Sequence, residues 1–208
     1  MIEALLLAAA QPAMSAIDAE RAFVADAHKL GQWTAFRKWA APDAIMFLPQ
    51  AGNAQEWLKD KADPPVPVFW WPGRSYVSCD GNTAVNTGPW VRQWGKAVGY
   101  FTTVWQRQAD GSWKWLLDHG DTLATPRTEG GDIKPVVASC EKPGPTSLPI
   151  RTDTVPERKV ADGGGQSGDG TVIWLWDVQN DGSREFRTYL WNGKVMEQVI
   201  HDKVAASP

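Results

Sequence analysis

The chain has 208 residues, 43% of them hydrophobic and 22% charged, with a formal net charge of −3. That composition belongs to a globular protein with a sizeable core, one domain with an appendage or two small ones. The mild acidity argues against a nucleic-acid binder, which carries a basic face, and no apolar run approaches the ~18 residues of a transmembrane helix.

Residues 1–16 stand apart. Ala4–Ala10 is a short apolar stretch, broken by Gln11-Pro12 and followed by the small residues Ala13-Met14-Ser15. This is the pattern at the end of a secretory signal peptide, although Met1-Ile2-Glu3 carries no positive charge. Two readings stay open: a truncated signal segment with a periplasmic or secreted protein, or an N-terminal helix with a cytoplasmic one. No Cys follows the stretch to take a lipid anchor.

Helical signals run to about residue 62. Ser15 is an N-cap with Asp18 in the first turn, Ile17, Phe23, Val24, Ala27 and Leu30 form an apolar stripe, and Gly31 ends it. Trp33, Phe36 and Trp39, spaced by three, predict a second helix that Pro42 terminates. Ala44–Leu48 reads as a short buried strand. Asn53-Ala-Gln-Glu56 is close to a capping box and opens a third helix with Trp57 and Leu58, ending before Pro64-Pro65.

Strands follow. Val68–Ser78, Asn82–Trp94, Val98–Gln108 and Trp113–Leu123 predict a four-strand meander. Asp80-Gly81 and Asp110-Gly111 are its first and third turns, and Gly95-Lys96 is the middle one. An Asx-Gly pair between β-prone runs is the strongest short hairpin signal and points to a two-residue type I′ turn. Pro72-Gly73 and Gly88-Pro89 predict sharp bends inside strands. Residues 124–170 are rich in Pro and Gly and read as a linker or draped loop, with Pro135–Cys140 as an apolar island that docks. Residues 171–203 then predict a three-strand meander over Thr171–Gln179, Arg184–Trp191 and Lys194–His201, turning at Asp181-Gly182 and Asn192-Gly193. Three strands alone are marginal, so this unit is expected to pack on the main sheet or on a partner subunit. Cys79 and Cys140 match no metal or redox spacing. They are either one disulfide or two buried thiols.

Helices feeding a bent meander that ends in Gly99-Tyr-Phe-Thr-Thr-Val-Trp-Gln-Arg-Gln-Ala-Asp-Gly-Ser-Trp-Lys-Trp-Leu-Leu-Asp-His-Gly120 resemble the nuclear transport factor 2-like superfamily, in its SnoaL-like and ketosteroid isomerase-like branch, over about residues 17–123. The resemblance implies an α+β fold: N-terminal helices on a strongly bent antiparallel sheet, cone-shaped with cystatin-like topology and an internal pocket, frequently a homodimer. The superfamily holds isomerases, dehydratases, cyclases and members without known activity, so fold does not choose function.

Thirteen tryptophans serve either as sheet core or as the wall of an apolar pocket. The expected pocket residues are Phe36, Trp39, Met46, Trp57 and Trp70, with Trp90, Tyr100, Thr102, Trp115 and His119. A two-residue turn at Asp110-Gly111 puts Tyr100, Thr102, Val104, Trp113, Trp115, Leu117 and His119 on one face and Phe101, Thr103, Trp105, Leu116 and Asp118 on the other. The first face is expected to be the concave one. His119, Asp43 and Asp118 are the catalytic candidates, each with a structural alternative: a satisfied core histidine, a turn or cap residue, and an acceptor near the sheet edge. No metal-ligand spacing, phosphate loop or nucleotide fingerprint is present, so no metal or cofactor is expected. Three functions compete: a binding protein for a small apolar or aromatic ligand, a cofactor-free isomerase, dehydratase or cyclase, and a non-catalytic structural dimer of the cell envelope.

Overall fold

A computed structural model describes residues 13–48, 50–141 and 159–206. Most of the expected signal segment, residues 1–12, and the middle of the Pro/Gly-rich stretch, residues 142–158, lie outside the described residues.

The helices begin where local capping chemistry places them. Helix α1 (Ala16–Leu30) opens on Ser15, whose hydroxyl accepts from the Asp18 amide, while the Asp18 carboxylate accepts from the Ser15 amide. Gly31, at φ 107°, ends it. Helix α2 (Gln32–Trp39) has no local side-chain cap. The Asp63 carboxylate supplies one from a distance, accepting from the amides of Trp33 and Thr34 at 2.5 and 3.0 Å. Helix α3 (Ala54–Leu58) starts at Asn53, which accepts from the Glu56 amide.

All three helices cover one face of a curved sheet built from β1 (Ala40–Leu48), β2 (Gln50–Asn53), β3 (Phe69–Trp70), β4 (Arg74–Val77), β5 (Thr83–Arg92), β6 (Ala97–Arg107), β7 (Trp113–Leu123) and β8 (Val136–Val137). The order is β2-β1-β7-β6-β5-β4-β8, with β3 also on β5. β1 is longer than expected and joins β7 in parallel. Pro72-Gly73 splits the first expected strand into β3 and β4. Gly88-Pro89 leaves β5 unbroken, because the Pro89 carbonyl still accepts from Trp71 and the Thr87 carbonyl from Gly73.

The turns differ from expectation in a way that moves side chains between faces. At Asp80-Gly81, Asp110-Gly111, Asp181-Gly182 and Asn192-Gly193 only the glycine has positive φ. These are not type I′ turns. Each Asx instead accepts locally through its side chain, as Asp110 does from the Ser112 amide at 2.9 Å. The β6–β7 connection is therefore one residue longer, closed by Gln108 N–H to the Ser112 carbonyl, and Trp105 faces Trp115. An irregularity between Val104 and Trp105 restores the expected register beyond it, pairing Val104 with Leu117 and Thr103 with Asp118. Trp113 and Trp115 consequently pack with Trp105 and Phe101 under the helices. Leu117 and Val104 face the other way. The face expected to be concave is split in two.

That other face is covered by a second sheet of four strands: β9 (Lys159–Gln166), β10 (Val172–Gln179), β11 (Arg184–Trp191) and β12 (Met196–Val204), ordered β12-β11-β10-β9. Three strands were expected. The fourth hides in Gly163-Gly-Gly165, where glycine serves close packing: a Cβ at Gly163 would meet the Trp176 indole at 2.6 Å, and Trp174 lies equally hard against Gly165. A further Asx-Gly pair, Asp169-Gly170, turns β9 into β10. Its Asp169 carboxylate accepts from the Asp80 amide, and Thr171 accepts from Cys79, so the two turns stack. Val85, Val104 and Leu117 pack against Val172, Trp174, Trp176 and Phe186. The Pro135–Cys140 island docks between the sheets: β8 pairs with β4, Ser139 donates to the Trp191 carbonyl, and Cys140 forms a disulfide with Cys79.

The disulfide closes a loop of 61 residues. Loop-closure entropy for that length is worth about 4 kcal/mol. Urea denaturation of a Cys79→Ser/Cys140→Ser variant is expected to show a loss of that order. Coincident curves for the variant and the parent would show that the bridge adds nothing to stability.

Candidate functional site

A cavity of about 320 Å³ lies on the helix side of the main sheet, within the range of about 300–1,000 Å³ for small-molecule sites. Its aromatic walls come from separate elements: Trp33 and Phe36 from α2, Trp70 from β3, Trp90 from β5 and Phe101 from β6. Phe36 stands edge-on to Trp33 and Trp70, at 5.4 and 5.8 Å between ring centroids. Met46 and Val68 add aliphatic surface. Gln32, Arg92, Asp118 and Thr122 add polar groups, and Tyr100, His119, Gly120 and Asp121 complete the lining.

Asp118 is the chemically distinctive member. It keeps its expected pairing with Thr103, on the face that the helices cover, and Thr103 donates to its Oδ2 at 2.7 Å. Burial pushes its carboxyl up to about 7. The Thr103 bond opposes this, and the charge of Glu20 adds to it. Glu20, on α1, is itself fully buried. Trp70 Nε1 donates to its Oε1 at 2.8 Å, Trp105 Nε1 to Oε2 at 2.7 Å and Asn86 Nδ2 to Oε2 at 3.2 Å. Burial raises its carboxyl to about 7 despite those three donors. The Trp70 ring that walls the cavity is thus pinned from behind by Glu20. Sequence reasoning missed Glu20, although its place was visible: it lies three residues from both Ile17 and Phe23, on the apolar stripe of α1.

The other expected residues are dispersed. Phe36, Met46, Trp70, Trp90, Tyr100 and His119 line the cavity, whereas Trp39, Trp57, Thr102 and Trp115 are not among its lining residues. Trp39 donates to Asp26 at 2.8 Å and packs on Trp105. Trp57 stands edge-on to Trp33 beneath the Lys61 ammonium. Trp115 is fully buried in the helix-side core. Asp43 is exposed on β1 and does not reach the cavity.

Thr102 and the His119 ring belong to a second polar cluster, between the two sheets. Thr102 donates to Asp202 of β12 at 2.7 Å. His119 Nε2 lies 3.2 Å from the same Asp202 oxygen, out of line for a hydrogen bond. The His119 ring is set among Phe47, Tyr100 and Phe186. Burial, with Asp202 and Asp121 nearby, pushes the Tyr100 phenol up. Arg184 donates to the Gly120 carbonyl and stands over Phe47. Asp118 and His119, adjacent in sequence, therefore serve opposite faces of β7. No group of His, Cys, Asp and Glu among the described residues could hold a metal ion.

No protein-family model and no curated protein matches the chain. Solved structures similar to it include a candidate ketosteroid isomerase of Parabacteroides distasonis (21% identity, TM-score 0.39, covering 52% of this chain and 85% of that one). An NTF2-like protein of unknown function from Shewanella oneidensis has 17% identity and a TM-score of 0.40, covering 48% and 91%. An NTF2-like superfamily protein from Salmonella enterica has 13% identity and a TM-score of 0.39, covering 52% and 89%. The likeness is to NTF2-like proteins, over about half of this chain. It is one of fold alone and carries nothing about activity.

The two raised carboxyls make stability depend on pH with a definite sign. Above about pH 4 the unfolded chain releases both protons, while the native state keeps them until about 7. Each group therefore stabilises fully below its unfolded value, and that contribution is lost as pH rises to 7, by up to about 1.4 kcal/mol per pH unit. Asp26, Asp63, Glu129 and Asp169 are shifted down and contribute the opposite slope only at lower pH. Denaturation between pH 5 and pH 8 is expected to show falling stability. Asp118→Asn should flatten part of the slope and exceed the parent at pH 8. Parallel profiles for variant and parent would contradict the assignment.

Proposed function

We propose that the protein binds a small, largely apolar or aromatic molecule carrying one hydrogen-bonding group, in the cavity between α2 and the sheet. The carrying observation is a cavity walled by five aromatic rings and carrying one half-buried carboxyl, that of Asp118. Aromatic walls favour a flat apolar body. A carboxyl near half-protonation at neutral pH can donate to a carbonyl or accept from a hydroxyl, and it orients that body. The Cys79–Cys140 disulfide supports a periplasmic or secreted location. The second sheet occupies the sheet face opposite the helices within one chain, so a homodimer would have to use other surfaces.

A second reading, proton-transfer catalysis, is favoured by one feature: a base that works at neutral pH needs a carboxyl raised toward 7. Asp118 would take a proton from carbon next to a carbonyl, and Gln32, whose carbonyl accepts from the Val68 amide, carries an amide donor for the resulting oxyanion.

A thermal-shift panel of aromatic ketones and phenols is expected to raise the melting temperature, with affinity reduced about tenfold by Asp118→Asn. No stabilisation by any member would refute the binding reading. Proton NMR in D₂O with a bound ketone separates the second reading: exchange of the α-hydrogens, lost in Asp118→Asn, is its expected result, and binding without exchange contradicts it.

A further inference from the structure

One hairpin carries a side chain that no contact among the described residues explains. Trp94, at the β5–β6 turn, is 94% exposed. It and Gln93 are the only non-glycine residues with positive φ among those described, at 59° and 52°. Left-handed backbone is costly for a bulky residue, of order 1 kcal/mol or more, and persists where function requires it. A Trp in that conformation, wholly in solvent, loses on both counts for folding.

Its surroundings share this character. Phe69, opposite Val91 on the neighbouring strand, is half exposed, and Val66 just before it is exposed. The end of α1 lies alongside, with the His28 ring 5.5 Å from Phe69, and brings exposed Leu30. Cations punctuate the apolar groups: Arg92 and Lys96 flank Trp94, and Lys29 precedes Leu30, all exposed. Asp63, which lies against Gly31, is engaged by Trp33 and Thr34. Trp90 and Arg92 of this same hairpin line the cavity. Arg92 and Thr122 are the lining residues exposed to solvent, so the cavity opens beside Trp94.

We propose that this end of the molecule docks on a lipid bilayer bearing anionic headgroups, with Trp94 seated at headgroup level and Arg92 and Lys96 against the anionic surface. The occupant follows from charge and side-chain type: Arg92, Lys96 and Lys29 stand exposed among the exposed apolar groups Trp94, Phe69 and Leu30. An amphipathic indole flanked by cations is what a membrane interface retains. The docking itself does not depend on the ligand reading. Its use does: the cavity would open toward the bilayer, and an apolar ligand could pass between them without crossing water.

The test is co-sedimentation of the full chain with phosphatidylcholine vesicles, with and without phosphatidylglycerol. Binding is expected only with the anionic lipid. Lys96→Glu should weaken it at least about fivefold, the effect of one cation near the surface. Trp94→Asn should weaken it further while leaving the melting temperature unchanged or higher, because Asn tolerates left-handed backbone. Ligand-induced stabilisation of the free protein should be unaffected by Trp94→Asn, which separates this proposal from the binding reading. Absence of vesicle binding, or equal binding by Trp94→Asn, overturns it. So does a concentration-dependent dimer abolished by Trp94→Asn, which would assign the surface to a second copy of the chain.

Discussion

A single buried carboxylate, that of Glu20, ties the helices to the sheet. It gathers the indole N–H groups of Trp70 and Trp105 and the side-chain amide of Asn86, and Asn86 also donates to the Ala16 carbonyl at the start of α1. Strands β3, β5 and β6 are thereby held to one turn of one helix. Burying a carboxylate is expensive, and three donors offset the cost only in part, which is why its proton is held so tightly. Removing the acceptor would leave three donors unsatisfied in the core, each at about 1–3 kcal/mol. The site inherits its properties from this arrangement. Glu20 holds the Trp70 wall in place, and its charge helps to raise Asp118.

The second constraint is the sheet that covers the opposite face. Its inner surface of Trp174, Trp176 and Phe186 replaces solvent over Val85, Val104 and Leu117. Asp202 bonds Thr102, whose neighbour Thr103 bonds Asp118. Adjacent residues on β6 thus connect the inter-sheet cluster to the cavity acid. The C-terminal strands thus back the sheet whose other face carries the cavity.

Much of this was legible in the sequence, and the rest was not, for physical reasons. Ser15, Gly31 and Asn53 act within one helical turn, so the helix ends could be read directly. The parallel pairing of β1 with β7 joins segments some seventy residues apart and leaves no local mark. Strand β9 was concealed because three consecutive glycines signal flexibility until Trp174 and Trp176 are seen to need the space. The face of Trp113 and Trp115 was misassigned because Asp110 caps its turn through its side chain, lengthening the connection by a residue, and a one-residue slip inverts every side chain it governs. Beyond the irregularity between Val104 and Trp105 the expected register returns and leaves Asp118 and His119 on opposite faces, as the alternation required, but the helices cover the face of Phe101 and Thr103, so Asp118 lies on the cavity side. Half of the site, then, was visible as residue types and hidden as geometry.

The coupled pair of Glu20 and Asp118 is best tested by titrating the side-chain carboxyl carbons by ¹³C NMR, with the two signals assigned by substitution. Midpoints near 7 for both would support the account, in which desolvation leaves both carboxyls near half-protonation at neutral pH. Midpoints near the ordinary carboxylate value of about 4 would mean that water reaches both groups, and the cavity would then lack the raised acid on which its proposed chemistry rests.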